Sequence, residues 1–240
     1  MVELQRIAEK FLYKEREVTM YGDFDQSYLN NLIKNMLERE EPDIFSVFDD
    51  KVIGIEHFEF DSFKNTKSGS EMKRYEQHLI KTGEPVDHNK IANMLANRTI
   101  DQYYNNFKKH FLNHYDKIKK YKSKLKEKYP DKDIEIYFFV EDTSLYGNFC
   151  YKDNKIYPLL PIYSQKNLEM LKKCEEVKYI FFFSEKVYDK KNHYFDEQLV
   201  IFKNDEKNRN IMKVDNTNLK YCKCLVDINE KKQVRGLIET

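Results

Sequence analysis

Two short runs, Ile134–Glu141 (IEIYFFVE) and Lys178–Ser184 (KYIFFFS), are apolar on successive residues rather than alternate ones. Side chains alternate across a strand, so a strand with both faces apolar has no face left for water. Each run therefore predicts a central strand covered by helices on both sides. Between them Ser164–Glu176 carries Leu168, Leu171 and Cys174 at helical spacing. The expected fold is α/β (α+β), a mixed sheet flanked by helices.

The remaining elements follow the same logic. Leu29, Leu32, Ile33, Met36 and Leu37 predict a helix over 25–40, with Asp25 or Ser27 as its cap and Pro42 as its stop. Asp43–Asp50 and Lys51–Phe60 read as a hairpin about the polar turn Asp49-Asp50-Lys51. An irregular excursion follows over 61–90, with a short helical stretch at Glu71–Lys81. Apolar residues from Ile100 to Leu125 recur every three or four positions and predict one long helix stopped at Pro130. Gln198–Lys203 adds a further strand, and the last thirty or so residues show no strong period. We find no repeat and no Gly-, Ser- or Pro-rich linker, so residues 1–240 read as a single domain.

A charged content of 35% and a mean hydropathy of -0.81 lean toward disorder, but 18 Tyr and 17 Phe supply bulky apolar surface that disordered chains lack. The 42 basic and 41 acidic residues leave a net charge of +1, so any attraction for nucleic acid must come from a local surface. No segment reaches the ~18 apolar residues of a membrane span, and the charged start lacks a signal-peptide core. The expectation is a cytoplasmic protein without a membrane partner. Cys150, Cys174, Cys222 and Cys224 are then free thiols, because Cys222-Lys223-Cys224 has no second ligand pair nearby. Six glycines and no phosphate-binding loop leave kinase and dehydrogenase readings without support.

Chemistry concentrates on the hairpin. An even-length turn that sets Asp49 opposite Val52 puts Phe45 opposite Glu56 and Asp43 opposite Phe58. Asp43 and Glu56 then share one face as diagonal neighbours ~7–8 Å apart at the backbone, within reach of one hard cation. Glu56 interrupts an apolar strand, where an unpaired carboxylate costs several kcal/mol. It calls for a cation, a basic side chain or a raised pKa, the plainest choices being a salt bridge to a lysine or an edge strand in water.

With Pro42-Asp43 before one strand and Glu56-His57-Phe58 on the next, the chain resembles the PD-(D/E)XK nuclease superfamily. The resemblance covers residues 25–142 and implies a restriction-endonuclease-like core, with 143–240 as a C-terminal extension whose helix and strands complete the sheet. It implies Asp43 and Glu56 as catalytic ligands of Mg2+ or Mn2+, with Glu38 of the first helix as an accessory ligand. The motif's lysine is replaced by Phe58, so either Lys64, Lys73 or Lys90 supplies it from the excursion or activity is lost.

His57 is expected to pack on the opposite face, beside Ile44 and Ile55. His110 and His114 lack the glutamate that a zinc-protease helix needs. Glu141-Asp142, at the end of the central strand, is a secondary candidate site. The long helix is lysine-rich, and Lys119, Lys122 and Lys126 form a basic face for DNA or RNA unless they simply solvate the helix. The expected function is a divalent-metal nuclease or a degenerate nucleic-acid-binding relative. The alternative is a non-catalytic interaction protein or homo-oligomer.

Overall fold

The computed structural model describes residues 17–38, 41–60, 67–85, 87, 90, 100–142, 148–152, 155–189, 194–215, 220–226 and 233–239. Its centre is a seven-stranded mixed sheet in the order β1-β9-β8-β5-β4-β3-β2. The strands are β1 (Glu17–Tyr21), β2 (Met36–Glu38), β3 (Ile44–Val47), β4 (Lys51–Phe60), β5 (Asp133–Asp142), β8 (Val177–Asp189) and β9 (Tyr194–Lys203). β4, β5 and β8 run parallel, β2-β3-β4 form an antiparallel meander, and β9 returns antiparallel to β8.

The doubly apolar run in β5 is divided between two cores. Ile136, Phe138 and Val140 face α3 (Ile100–Tyr115), α4 (Ile118–Lys128) and α5 (Gln165–Lys173), with Phe107, Phe111, Leu125 and Leu171 fully buried against them. Tyr137 and Phe139 face the other way, toward α1 (Gln26–Lys34) and its buried Leu29 and Leu32. Helices on both faces explain why no residue from Ile136 to Glu141 reaches solvent.

Several boundaries depart from expectation. Asp25 does cap α1, its carboxylate accepting from the Tyr28 amide at 2.6 Å, but the helix ends at Lys34. Met36–Glu38 instead pairs with β3 as the edge strand β2. Met36 still packs in the core of the α1 face, which a helical spacing and an edge strand serve equally well. The excursion contains α2 (Lys67–Thr82), longer than the expected stretch.

The long helix is two helices. At Asp116-Lys117 the bonding shortens from Asp116 N–Leu112 O to Lys117 N–His114 O, a local three-residue turn that separates α3 from α4. Beyond 142, β8 and β9 extend the main sheet as expected, and α6 (Glu206–Asp215) packs Met212 into the core. β6 (Asn148–Lys152), β7 (Lys155–Pro158), β10 (Lys220–Val226) and β11 (Gln233–Glu239) form a second sheet, in the order β11-β10-β6-β7, that no sequence period announced. Among the described residues no helix is long and apolar enough to cross a membrane.

Candidate functional site

The hairpin closes tightly around Asp49-Asp50, with the Phe48 amide donating to Lys51 O at 2.8 Å. Ile44 consequently faces Ile55, Phe45 faces Gly54 and Val47 faces Val52. This register is two residues away from the expected one, and a two-residue shift preserves the face of every side chain. Asp43 and Glu56 therefore still share a face, with Asp43 one step beyond the end of β3 and in line with Glu56.

Pro42 sets how closely that end approaches. It packs over Gly54, where an added Cβ would lie 2.8 Å from Pro42 Cγ and 2.9 Å from Leu125 Cδ1. Just before it, the Glu41 carboxylate accepts from Lys120 and Lys124 of α4. Those bonds hold Glu41 at about 2, well below the ordinary carboxylate range. The Pro42-Asp43 step is thus fixed both to β4 and to α4. Asp43 turns one oxygen inward, where Oδ2 accepts from the His57 amide at 2.7 Å. With β3 beginning only at Ile44, a side chain takes over an amide of β4.

Glu56 is buried, as its apolar neighbours imply. Its basic partner is a histidine rather than a lysine. Oε1 accepts the Tyr121 hydroxyl at 2.6 Å and lies 2.7 Å from His114 Nδ1, which donates when it carries the proton. Residues 114 and 121 are seven apart, so they fall on one helical stripe and converge across the α3–α4 junction. Burial, followed by the bond to Glu56, pushes the Tyr121 phenol far above its ordinary value and keeps it a donor. His114 in turn stacks on Phe58, with ring centroids 4.5 Å apart and planes within 13°. The aromatic at position 58 thus supports the imidazole that holds Glu56.

Asp43 Oδ2 and Glu56 Oε1 already accept protein hydrogen bonds. Glu38 lies on β2 rather than on the first helix, opposite Ile44 and hence on the face of Ile44 and Ile55 rather than that of Glu56. Among the described residues no group of three or more His, Cys, Asp or Glu is arranged to hold a metal ion. Of the substitute lysines, Lys64 and the Lys73 side chain lie outside what is described, and Lys90 rests over the Tyr75 ring.

His57 packs on the opposite face, 5.6 Å from the Phe139 ring, and its Nε2 lies 3.2 Å from Glu141 Oε2. Glu141, the secondary candidate, is therefore the buried partner of a packed histidine, while residues 143–147 of the turn after it lie outside the described residues. Cys174 is buried, and its thiol is pushed up to about 11, first by burial and then by Asp116, so it is no nucleophile. The side chains of the other three cysteines are not among those described.

On α4, Lys119 is exposed, Lys122 pairs with Glu176 at 2.6 Å, and Lys126 is exposed while donating to Lys132 O at 2.9 Å. The neighbouring stripe is engaged by the protein, with Lys120 and Lys124 on Glu41 and Lys128 over the Phe45 ring.

Residue patterns did not disclose the roles of His114 and Tyr121. The available signal was a histidine on the apolar stripe of a helix, seven residues before a tyrosine, opposite a strand with one misplaced glutamate. Comparison of the chain with protein-family models, with curated proteins and with solved structures finds no match.

Proposed function

We propose that the chain is a nuclease-like core that has lost cleavage and retains nucleic-acid binding. The order α1, antiparallel β2-β3-β4, α3–α4 and parallel β5 supports the resemblance to restriction-endonuclease-like proteins. So does the placing of Asp43 and Glu56 on one face. The observation that carries the loss of cleavage is the His114–Glu56–Tyr121 cluster. Two protein donors occupy one of the two Glu56 oxygens open to a metal, and Phe58 braces the imidazole where the motif has its water-orienting lysine.

Binding is assigned to Lys119, Lys122 and Lys126, spaced to present one stripe of α4. Phosphate contacts of this kind release counterions, so affinity falls steeply with salt. The test measures fluorescence anisotropy of single-stranded and duplex DNA and RNA across a salt series, beside a cleavage assay with Mg2+ and Mn2+. Expected are salt-dependent binding, a shallower salt slope when the three lysines become Gln, and no cleavage. Metal-dependent cleavage abolished by both Asp43→Ala and Glu56→Ala would overturn the degenerate reading. Absence of binding at low salt would favour a protein-interaction role, for which half-exposed Leu37 on edge strand β2 is the relevant surface.

A further inference from the structure

Where β4, β5 and β8 begin, on the α1 side of the sheet and so on the face opposite Glu56, lies a cavity of about 310 Å3. The volume is at the small end of the range for ligand pockets, which suits a ligand of one ring. Tyr137 of β5 and Tyr179 of β8 are neighbours across the ladder and form its aromatic wall, with Tyr28 of α1 beside them. The Tyr137 and Tyr179 rings lie 4.9 Å apart with their planes 60° from parallel. This wall is angled, so a planar heterocycle can lie flat on only one of its rings, whereas a puckered ring can set C–H groups against both.

Charge in the cavity comes in opposed pairs. Three lysines and three carboxylates line it, so a charged ligand meets no net field of opposite sign. At one end Lys51 Nζ lies 3.4 Å from Glu135, which also accepts the Tyr137 hydroxyl at 2.7 Å. At the other, Lys203, opposite Tyr179 in the β8–β9 ladder, lies 2.6 Å from Asp23 and 3.7 Å from Asp205. The Asp23 side chain is 78% exposed, a setting in which an ion pair contributes little and opens readily to a ligand. The Tyr179 hydroxyl makes no hydrogen bond among the described residues, and burial raises its pKa, so it stays protonated and able to donate.

A hydroxyl group both donates and accepts, so it finds a partner on either member of an ion pair, and its bonds to ionised groups are charge-assisted. Neighbouring hydroxyls on one ring can thus accept from a lysine and donate to the carboxylate beside it. We propose that this cavity binds a neutral saccharide ring, its C–H groups on the Tyr137–Tyr179 wall and vicinal hydroxyls on the Lys203–Asp23 pair. The Tyr179 hydroxyl and the Lys51–Glu135 pair serve the remaining hydroxyls. The ligand is either a free monosaccharide or the terminal residue of a glycan, which present the same ring. Because the ligand carries no charge, its affinity does not follow salt as phosphate contacts on α4 do.

Ligand-observed NMR titration of the full chain with glucose, galactose, mannose, N-acetylglucosamine and ribose tests this, with glucose 6-phosphate, glucosamine and adenine as charged or planar counterparts. Saturable binding of at least one neutral sugar is expected, with a Kd of about 1 mM or below. Asp23→Ala should weaken it about tenfold, the loss of a hydrogen bond to a charged group, and Tyr179→Phe about threefold, the loss of a neutral one. Asp23 is exposed and Tyr179→Phe removes only a hydroxyl, so both variants keep the fold. Competition by a disaccharide ending in the favoured sugar identifies the glycan end as the source, and its failure to compete identifies the free monosaccharide. The variant with Lys119, Lys122 and Lys126 changed to Gln should bind sugar as before, which separates this site from the α4 face. No saturable sugar binding, unchanged affinity in either Asp23→Ala or Tyr179→Phe, or tighter binding of a charged or planar counterpart overturns the proposal.

Discussion

Tyr121 donates its hydroxyl hydrogen to Glu56 across 2.6 Å, and both side chains are buried in the face of the sheet beneath α4. A hydrogen bond to a buried carboxylate contributes more than a neutral one, and removing the donor leaves the charge short of a partner. Tyr121→Phe should therefore cost about 1.5–3 kcal/mol in urea denaturation. Glu56→Gln keeps an acceptor oxygen in place and should cost less than Tyr121→Phe.

The same bond sets an alkaline limit. Folding raises the Tyr121 pKa above its ordinary 10.0, so the native state holds the proton more tightly than the unfolded chain. That contribution is complete below pH 10.0 and is lost as pH rises beyond it. Tyr137, buried against Tyr28 and Glu135, is shifted in the same direction. Urea midpoints measured from about pH 8 to about pH 12 should fall above pH 10, and less steeply in Tyr121→Phe than in wild type. Parallel curves would show that the hydroxyl does not carry the effect.

Glu41 gives the opposite sign. Lys120 and Lys124 hold its carboxyl at about 2 against an ordinary 4.5, so its contribution is present above 4.5 and is lost as pH falls toward 2. Glu41→Gln should flatten stability against pH in that window. Because the pair is partly exposed, added salt should produce part of the same flattening in wild type. An unchanged acid limb in Glu41→Gln would mean that the clamp on the Pro42-Asp43 step does not affect stability.

Gly54 is the point where Pro42, Leu125 and Ile136 meet over β4. An alanine methyl there must displace the rigid proline ring as well as two flexible side-chain ends. Gly54→Ala should destabilise by about 1–3 kcal/mol, the usual effect of overpacking. It should also loosen Asp43 on the His57 amide, seen as faster hydrogen exchange at that amide. Retained protection would separate the packing from the positioning of Asp43.

The parts of the fold legible in the sequence were those with a strong period and two buried faces. Ile134–Glu141 and Lys178–Ser184 announced central strands because all their neighbours are apolar, and Phe107, Phe111 and Leu125 announced a helix over them. Met36 and Leu37 misled because they continue the spacing of Leu29 and Leu32, and only pairing with Ser46 and Phe45 makes them a strand. The second sheet was illegible because its strands carry polar residues at irregular positions. At the site, the shared face of Asp43 and Glu56 was readable from strand alternation alone, which a two-residue register error cannot change. Its chemistry was not, because His114 and Tyr121 come from a helix whose break at Asp116-Lys117 leaves no mark on the apolar period.

Phe58 provides the sharpest trial of the degenerate site. Its ring is buried, stacked on His114 and set edge-on to Phe138 at 5.7 Å and to Phe111 at 6.4 Å. Phe58→Lys restores the motif lysine in sequence but removes the surface on which His114 rests and places an ammonium among phenyl rings. The lost packing alone should cost about 3–5 kcal/mol, as for other truncations of a buried aromatic. The added charge has Glu56 two residues away on the same face, yet one oxygen of that carboxylate is already held by two donors. We expect a destabilised protein with no cleavage in Mg2+ or Mn2+. Phe58→Leu, which keeps the position apolar, should lose less stability, and the difference between the variants measures the burial of the charge. Should Phe58→Lys fold and cut nucleic acid in a metal-dependent way, then Asp43 and Glu56 retain ligand geometry, the His114–Tyr121 cluster yields to a metal, and cleavage was lost at residue 58 alone.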